Sequence, residues 1–97
     1  MRTLIKVVVP AEAGNKAIKD GSLPATINNF LEARKPEAAY FTTEDGDRTA
    51  IFVCDVADPS DIPVIAEPFF TNLQARITFS PVMNPQDLAR GLGKLPK

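Results

Sequence analysis

No histidine occurs in these 97 residues and no tryptophan, while cysteine appears once, at position 54. Without imidazole there is no Ser-His-Asp or Cys-His arrangement, no histidine general base and no histidine-based zinc site. A lone cysteine forms no internal disulfide, which suits a reducing compartment. A phosphate-binding loop is missing too, since Gly91-Leu92-Gly93 has neither the preceding strand nor the following helix that such a loop needs. Neither charge sign dominates: 11 basic and 12 acidic residues are interspersed, giving a net charge of −1 and no broad basic footprint for nucleic acid or an anionic membrane. No apolar run is long enough for a membrane span, and the strand Thr3 to Val9 begins almost at once, with no signal-peptide core or small-residue cleavage site. The expectation is a cytoplasmic chain without membrane or nucleic-acid partners.

What is present fits one compact domain over residues 1–97, with 44% hydrophobic and 24% charged content. Four stretches read as strands, and alternate positions in them sort into two sets. Ile5, Val7, Val9, Ala39, Phe41, Ala50, Phe52, Cys54, Ile77 and Phe79 are almost purely apolar. The other set mixes Lys6, Tyr40, Thr42, Thr49, Arg76 and Thr78 with Leu4, Val8, Ile51 and Val53. Because side chains alternate across a pleated strand, agreement between four segments describes one sheet with two unlike faces.

The β-branched first strand ends at Pro10, which cannot donate to a ladder. Residues 11–20 favour helix, Gly21-Ser22 interrupts it, and Leu23, Ile27, Phe30 and Leu31 carry an apolar stripe onward until Pro36. Asp45-Gly46 suits a tight hairpin between strands over 37–44 and 48–56, in a register that sets Thr42 opposite Thr49 and Tyr40 opposite Ile51. Ser60 reads as the N-cap of a second main helix bearing Ile62, Ile65, Phe69 and Leu73, with Pro68 inside the pattern. Residues 74–82 read as the fourth strand, and Asn84-Pro85 as the start of a short helix through Leu92 closed by Gly91 or Gly93.

The order is a split βαβ, an α+β ferredoxin-like βαββαβ arrangement with a four-stranded antiparallel sheet, two helices on one face and a short terminal helix. The opposite face has no covering layer and too much aliphatic surface for water, so a second copy related by a two-fold axis is its economical cover. The segments 10–18 (PAEAGNKAI) and 37–46 (EAAYFTTEDG) carry a resemblance to the dimeric α+β barrel superfamily, particularly its small bacterial members of unassigned function. That resemblance implies a homodimer whose two sheets enclose a cavity. The superfamily includes cofactor-free monooxygenases, lactone isomerases, haem enzymes and ligand-sensing domains; with no histidine, a haem held by a proximal histidine is excluded, and no cofactor is expected.

The candidate ligand-binding residues are Lys6, Tyr40, Thr42, Thr49, Arg76 and Thr78. Lys6 and Arg76 project from neighbouring strands, and a cation in a half-apolar sheet is costly unless paired or hydrated. One reading pairs them across the dimer with Glu44, Asp47 or Asp55. The other makes them an anion or enolate site, with Tyr40 and the threonines as hydrogen-bond donors. Tyr40 and Lys6 are the only catalytic candidates, Tyr40 as a proton relay or simply as an interface ring. Asp55, Asp58 and Asp61 read as capping and loop residues with no metal expected, and Cys54 as a small hydrophobe. Three functions remain open: a dimer binding a small polar or anionic molecule, a cofactor-independent enzyme using the same cavity, or an oligomerisation subunit without ligand. An RNA-binding reading of the sheet fails, because Tyr40 is the only aromatic on the mixed face.

Overall fold

The computed structural model describes residues 1–96 and contains β1 (Arg2–Val9), α1 (Ala11–Asp20), α2 (Ser22–Arg34), β2 (Ala38–Glu44), β3 (Asp47–Asp55), α3 (Asp61–Leu73), β4 (Arg76–Pro81) and α4 (Pro85–Gly93). All pairings are antiparallel, in the order β2-β3-β1-β4, which is the ferredoxin-like arrangement.

The break in the first crossover falls where the glycine stands. Gly21 adopts φ 82°, in the left-handed region that glycine enters without steric cost, and its N–H returns to the Ile18 carbonyl. Asp20 accepts the Ser22 N–H at 2.9 Å as α2 starts, and Lys35, at φ 46°, closes α2 before Pro36. The hairpin turn is equally local: Asp45 at φ 52° and Gly46 at φ 83° set Glu44 opposite Asp47, Thr42 opposite Thr49 and Tyr40 opposite Ile51.

Three local expectations are corrected. Ser60 makes no side-chain cap; its N–H and hydroxyl donate to the Asp58 carboxylate at 2.8 and 2.6 Å. The glycines do not close α4, because Gly91 and Gly93 lie within it and Lys94 ends it with ordinary helical dihedrals. The fourth strand starts at Arg76 rather than Gln74, since Gln74 (φ 53°) turns the chain out of α3, its N–H bonded to the Phe69 and Phe70 carbonyls. Pro68 stands within α3, which continues to Leu73.

The core lies between the helices and one sheet face. Ile5, Val7, Phe52, Phe69 and Leu73 are almost completely buried, and Phe30 stacks 4.4 Å from Phe52 and 5.6 Å from Phe69 between ring centroids. Each such side chain contributes about 1.5–3 kcal/mol of burial free energy. Cys54 and Ala50 complete the β3 contribution. Phe41 belongs to this face but is 56% exposed, because β2 is an edge strand; its ring meets Phe52 edge-on at 5.9 Å. Of the two adjacent phenylalanines in α3, Phe69 enters the core and Phe70 faces out.

Candidate functional site

Pairing register places the six candidate residues on the face turned away from the core. They occupy two consecutive rows across the sheet. One row runs Tyr40, Ile51, Lys6, Thr78; the next runs Thr42, Thr49, Val8, Arg76. A third row holds Ala38, Val53, Leu4 and Ser80. Strand parity therefore does what the sequence requires of it. The two edges are nevertheless apart: three inter-strand spacings put Tyr40 on β2 roughly 14 Å from the β4 positions.

The cations of this face are neutralised within the chain. Lys6 Nζ lies 2.5 Å from Glu44 Oε1, an ion pair that reaches from β1 to β2 and so passes over β3. Arg76 Nη2 lies 3.8 Å from Asp47 Oδ2, reaching from β4 to β3 over β1. Glu44 and Asp47 are among the acids expected as partners, but the bridges form within one chain rather than across a dimer. The two diagonal contacts account for an otherwise odd observation: Val8 and Thr49 sit on the open face yet are buried. Thr49 is also chemically committed, its hydroxyl donating to the Asp47 carbonyl at 3.1 Å.

Four residues keep open valences. Tyr40 is 70% exposed, the Arg76 side chain is 67% exposed and only loosely held by Asp47, and Thr42 and Thr78 are exposed. Lys6, one-third exposed and held at 2.5 Å, is the least available of the cations. Leu4, Ile51 and Val53 lie half-buried among them.

Elsewhere, a concavity of about 690 Å³ opens between α1 and α3, lined by Glu12, Lys16, Asp20, Thr71, Asn72 and Gln74 among others, on the opposite side of the molecule from the candidate residues. Cys54 is buried, and loss of solvation pushes its thiol pKa up, which keeps it protonated and inert. The acidic loop is occupied by its own chain: Asp55 binds the Met1 amino group at 2.7 Å, and Asp58 is held low by the hydroxyl and N–H of Ser60. No group of three potential metal ligands occurs among the described residues, and none of their helices is long and apolar enough to cross a membrane.

Arg2, at the root of β1 on the open face, donates to Glu37 at 2.6 Å and to Asp87 at 3.0 Å. Asp87 also accepts the Asn84 N–H and pairs with Arg90, while Asn84 accepts the Asp87 N–H at 2.7 Å, a reciprocal capping box. These bonds hold Asp87 below the usual carboxylate range, the Asn84 N–H contributing most, and the Glu37 bond raises Arg2 above its ordinary value. The helix so mounted buries none of its residues, and Leu88, Leu92 and Leu95 are about half exposed or more. Leu88 and Leu92, four apart on α4, are visible in the sequence as one helix face, and Leu95 lies just beyond the helix end.

Compared with known proteins, the chain matches no family model and no curated protein.

Proposed function

We propose that this chain works as a homodimeric binding module, two copies setting their open sheet faces together around a small polar or anionic molecule. One observation carries the reading: exposed donors at Tyr40, Thr42 and Thr78, with Arg76 paired only at 3.8 Å to Asp47, stand beside the aliphatic side chains of Leu4, Ile51 and Val53 on a face that neither main helix covers. Apolar surface interleaved with a few directed polar groups suits both self-association and ligand orientation. A two-fold axis parallel to the strands would also bring the β2 edge of one copy towards the β4 edge of the other, so that Tyr40 and Arg76 need not act from within one chain. The resemblance to the dimeric α+β barrel superfamily agrees with this assembly.

Assembly without a ligand is the second reading, favoured by the Lys6–Glu44 and Arg76–Asp47 pairs, which leave less positive charge free for an anion. Sedimentation equilibrium at micromolar concentration is expected to give twice the 10.5 kDa chain mass, and Tyr40→Glu to shift it to monomer. A wild-type chain that stays monomeric overturns the proposal. Thermal-shift titration with small carboxylates, phosphate and sulfate is expected to reveal binding that Arg76→Leu removes. Dimers whose response is the same with Arg76→Leu and Lys6→Met leave assembly alone as the function.

A further inference from the structure

We propose that the cleft between the α1–α2 kink and the β2–β3 hairpin binds a carboxylate with a short apolar tail, its charged end held by Arg48. The site lies within one chain and apart from the open-face candidates, so it stands whether or not the chain dimerises.

Local sequence builds the walls. Ile18 and Leu23 flank Gly21, whose φ of 82° separates α1 from α2, and together with Ile27 they border one space. Phe41 closes the other side, on an edge strand that no neighbouring strand covers. The cleft measures about 250 Å³ and is largely apolar, with Ile18 50% and Phe41 56% exposed. That is smaller than the usual pocket for a drug-sized ligand, and suits a tail of a few carbons.

One full charge lines this space. Arg48 shares the helix-side parity of Ala50 and Phe52 on β3 and is half-buried. Lys6, Arg2, Arg76 and Arg90 all meet carboxylates, whereas Arg48 meets none among the described residues. Its Nη2 donates to the neutral Asn15 Oδ1 at 3.1 Å. A guanidinium presents five N–H donors in a planar fork that matches a carboxylate, so most of these donors and the whole charge are left for a ligand. With no second cation lining the cleft, a monoanion suits it better than a phosphate dianion.

Gly14 supplies an independent observation. It is buried inside α1 with no left-handed φ to require it, at a position where glycine costs helix stability relative to alanine. A Cβ placed there would come 2.5 Å from Arg48 Nη1 and 3.4 Å from its Cδ. The missing methyl group thus lets the guanidinium lie against α1, one turn from Ile18, where Asn15 sets its direction. Helix stability is given up at the one place where it seats this charge beside the apolar cleft.

Octanoate is the probe, with octanol as its uncharged counterpart and acetate as its tail-less one. Titration followed by amide NMR is expected to give saturable shifts at Ile18, Leu23, Phe41 and Arg48 with octanoate, roughly tenfold weaker binding with octanol and none with acetate. Arg48→Leu is expected to weaken octanoate binding roughly tenfold while leaving octanol unchanged. Gly14→Ala, whose close neighbours are all atoms of the Arg48 side chain, is expected not to lower the melting temperature and yet to lower octanoate affinity, which a packing role alone would not do. Equal affinity for octanoate and octanol, or octanoate binding unchanged in Arg48→Leu, overturns the site. So do shifts confined to the open face and abolished by Arg76→Leu, which would assign the carboxylate to the dimer cavity instead.

Discussion

Phe52 is the most connected side chain of the core. It is completely buried, stacked on Phe30, met edge-on by Phe41 and 6.4 Å from Phe69. Truncation leaves a cavity that three other rings can only partly collapse into, so Phe52→Ala is expected to lose about 3–5 kcal/mol in urea or thermal unfolding. Cys54, two residues on, makes a chemical counterpart. Buried and with its pKa raised, it should react with a thiol reagent such as DTNB only when the chain unfolds, so a native sample that reacts within seconds would place it elsewhere. Both residues were legible from alternation alone, because strand parity leaves them no other face. The pairing of Lys6 with Glu44 inside one chain was not. It is a diagonal reach over an intervening strand, and such contacts depend on sheet twist and side-chain rotamer, which alternation does not encode.

Among the elements, the hairpin between β2 and β3 was readable to the residue, since Asp45-Gly46 fixes both turn and register. The start of α3 was less so: Ser60 suits an N-cap, but the neighbouring Asp58 carboxylate competes for its hydroxyl and wins. Two helices end on non-glycine residues in the left-handed region, Lys35 and Gln74. A Cβ costs about 1–2 kcal/mol there. Gln74→Gly is therefore expected to stabilise the domain by about 1 kcal/mol, less than the full strain because glycine also gains freedom in the unfolded chain. A denaturation midpoint that fell instead would mean that the Gln74 side chain holds the α3–β4 junction.

For the molecule as a whole, the side-chain link between α4 and the sheet runs through one carboxylate. Asp87 takes hydrogen bonds from the Asn84 N–H and Arg2 and pairs with Arg90, and Arg2 is in turn shared with Glu37. Its pKa is depressed on folding, so the anchoring is complete above the unfolded value, near 4, and fades as pH falls through the lower folded value. Amide resonances of residues 84–93 are expected to broaden or shift in that acidic window before the core signals of β1 and β3 change; simultaneous loss would mean that α4 is not anchored separately from the core. The consequence is a mounting that acid loosens without dissolving: with Asp87 neutral its ion pairs to Arg2 and Arg90 lapse, while the Asn84 side chain still accepts the Asp87 N–H and Val82 still bonds the Arg2 carbonyl.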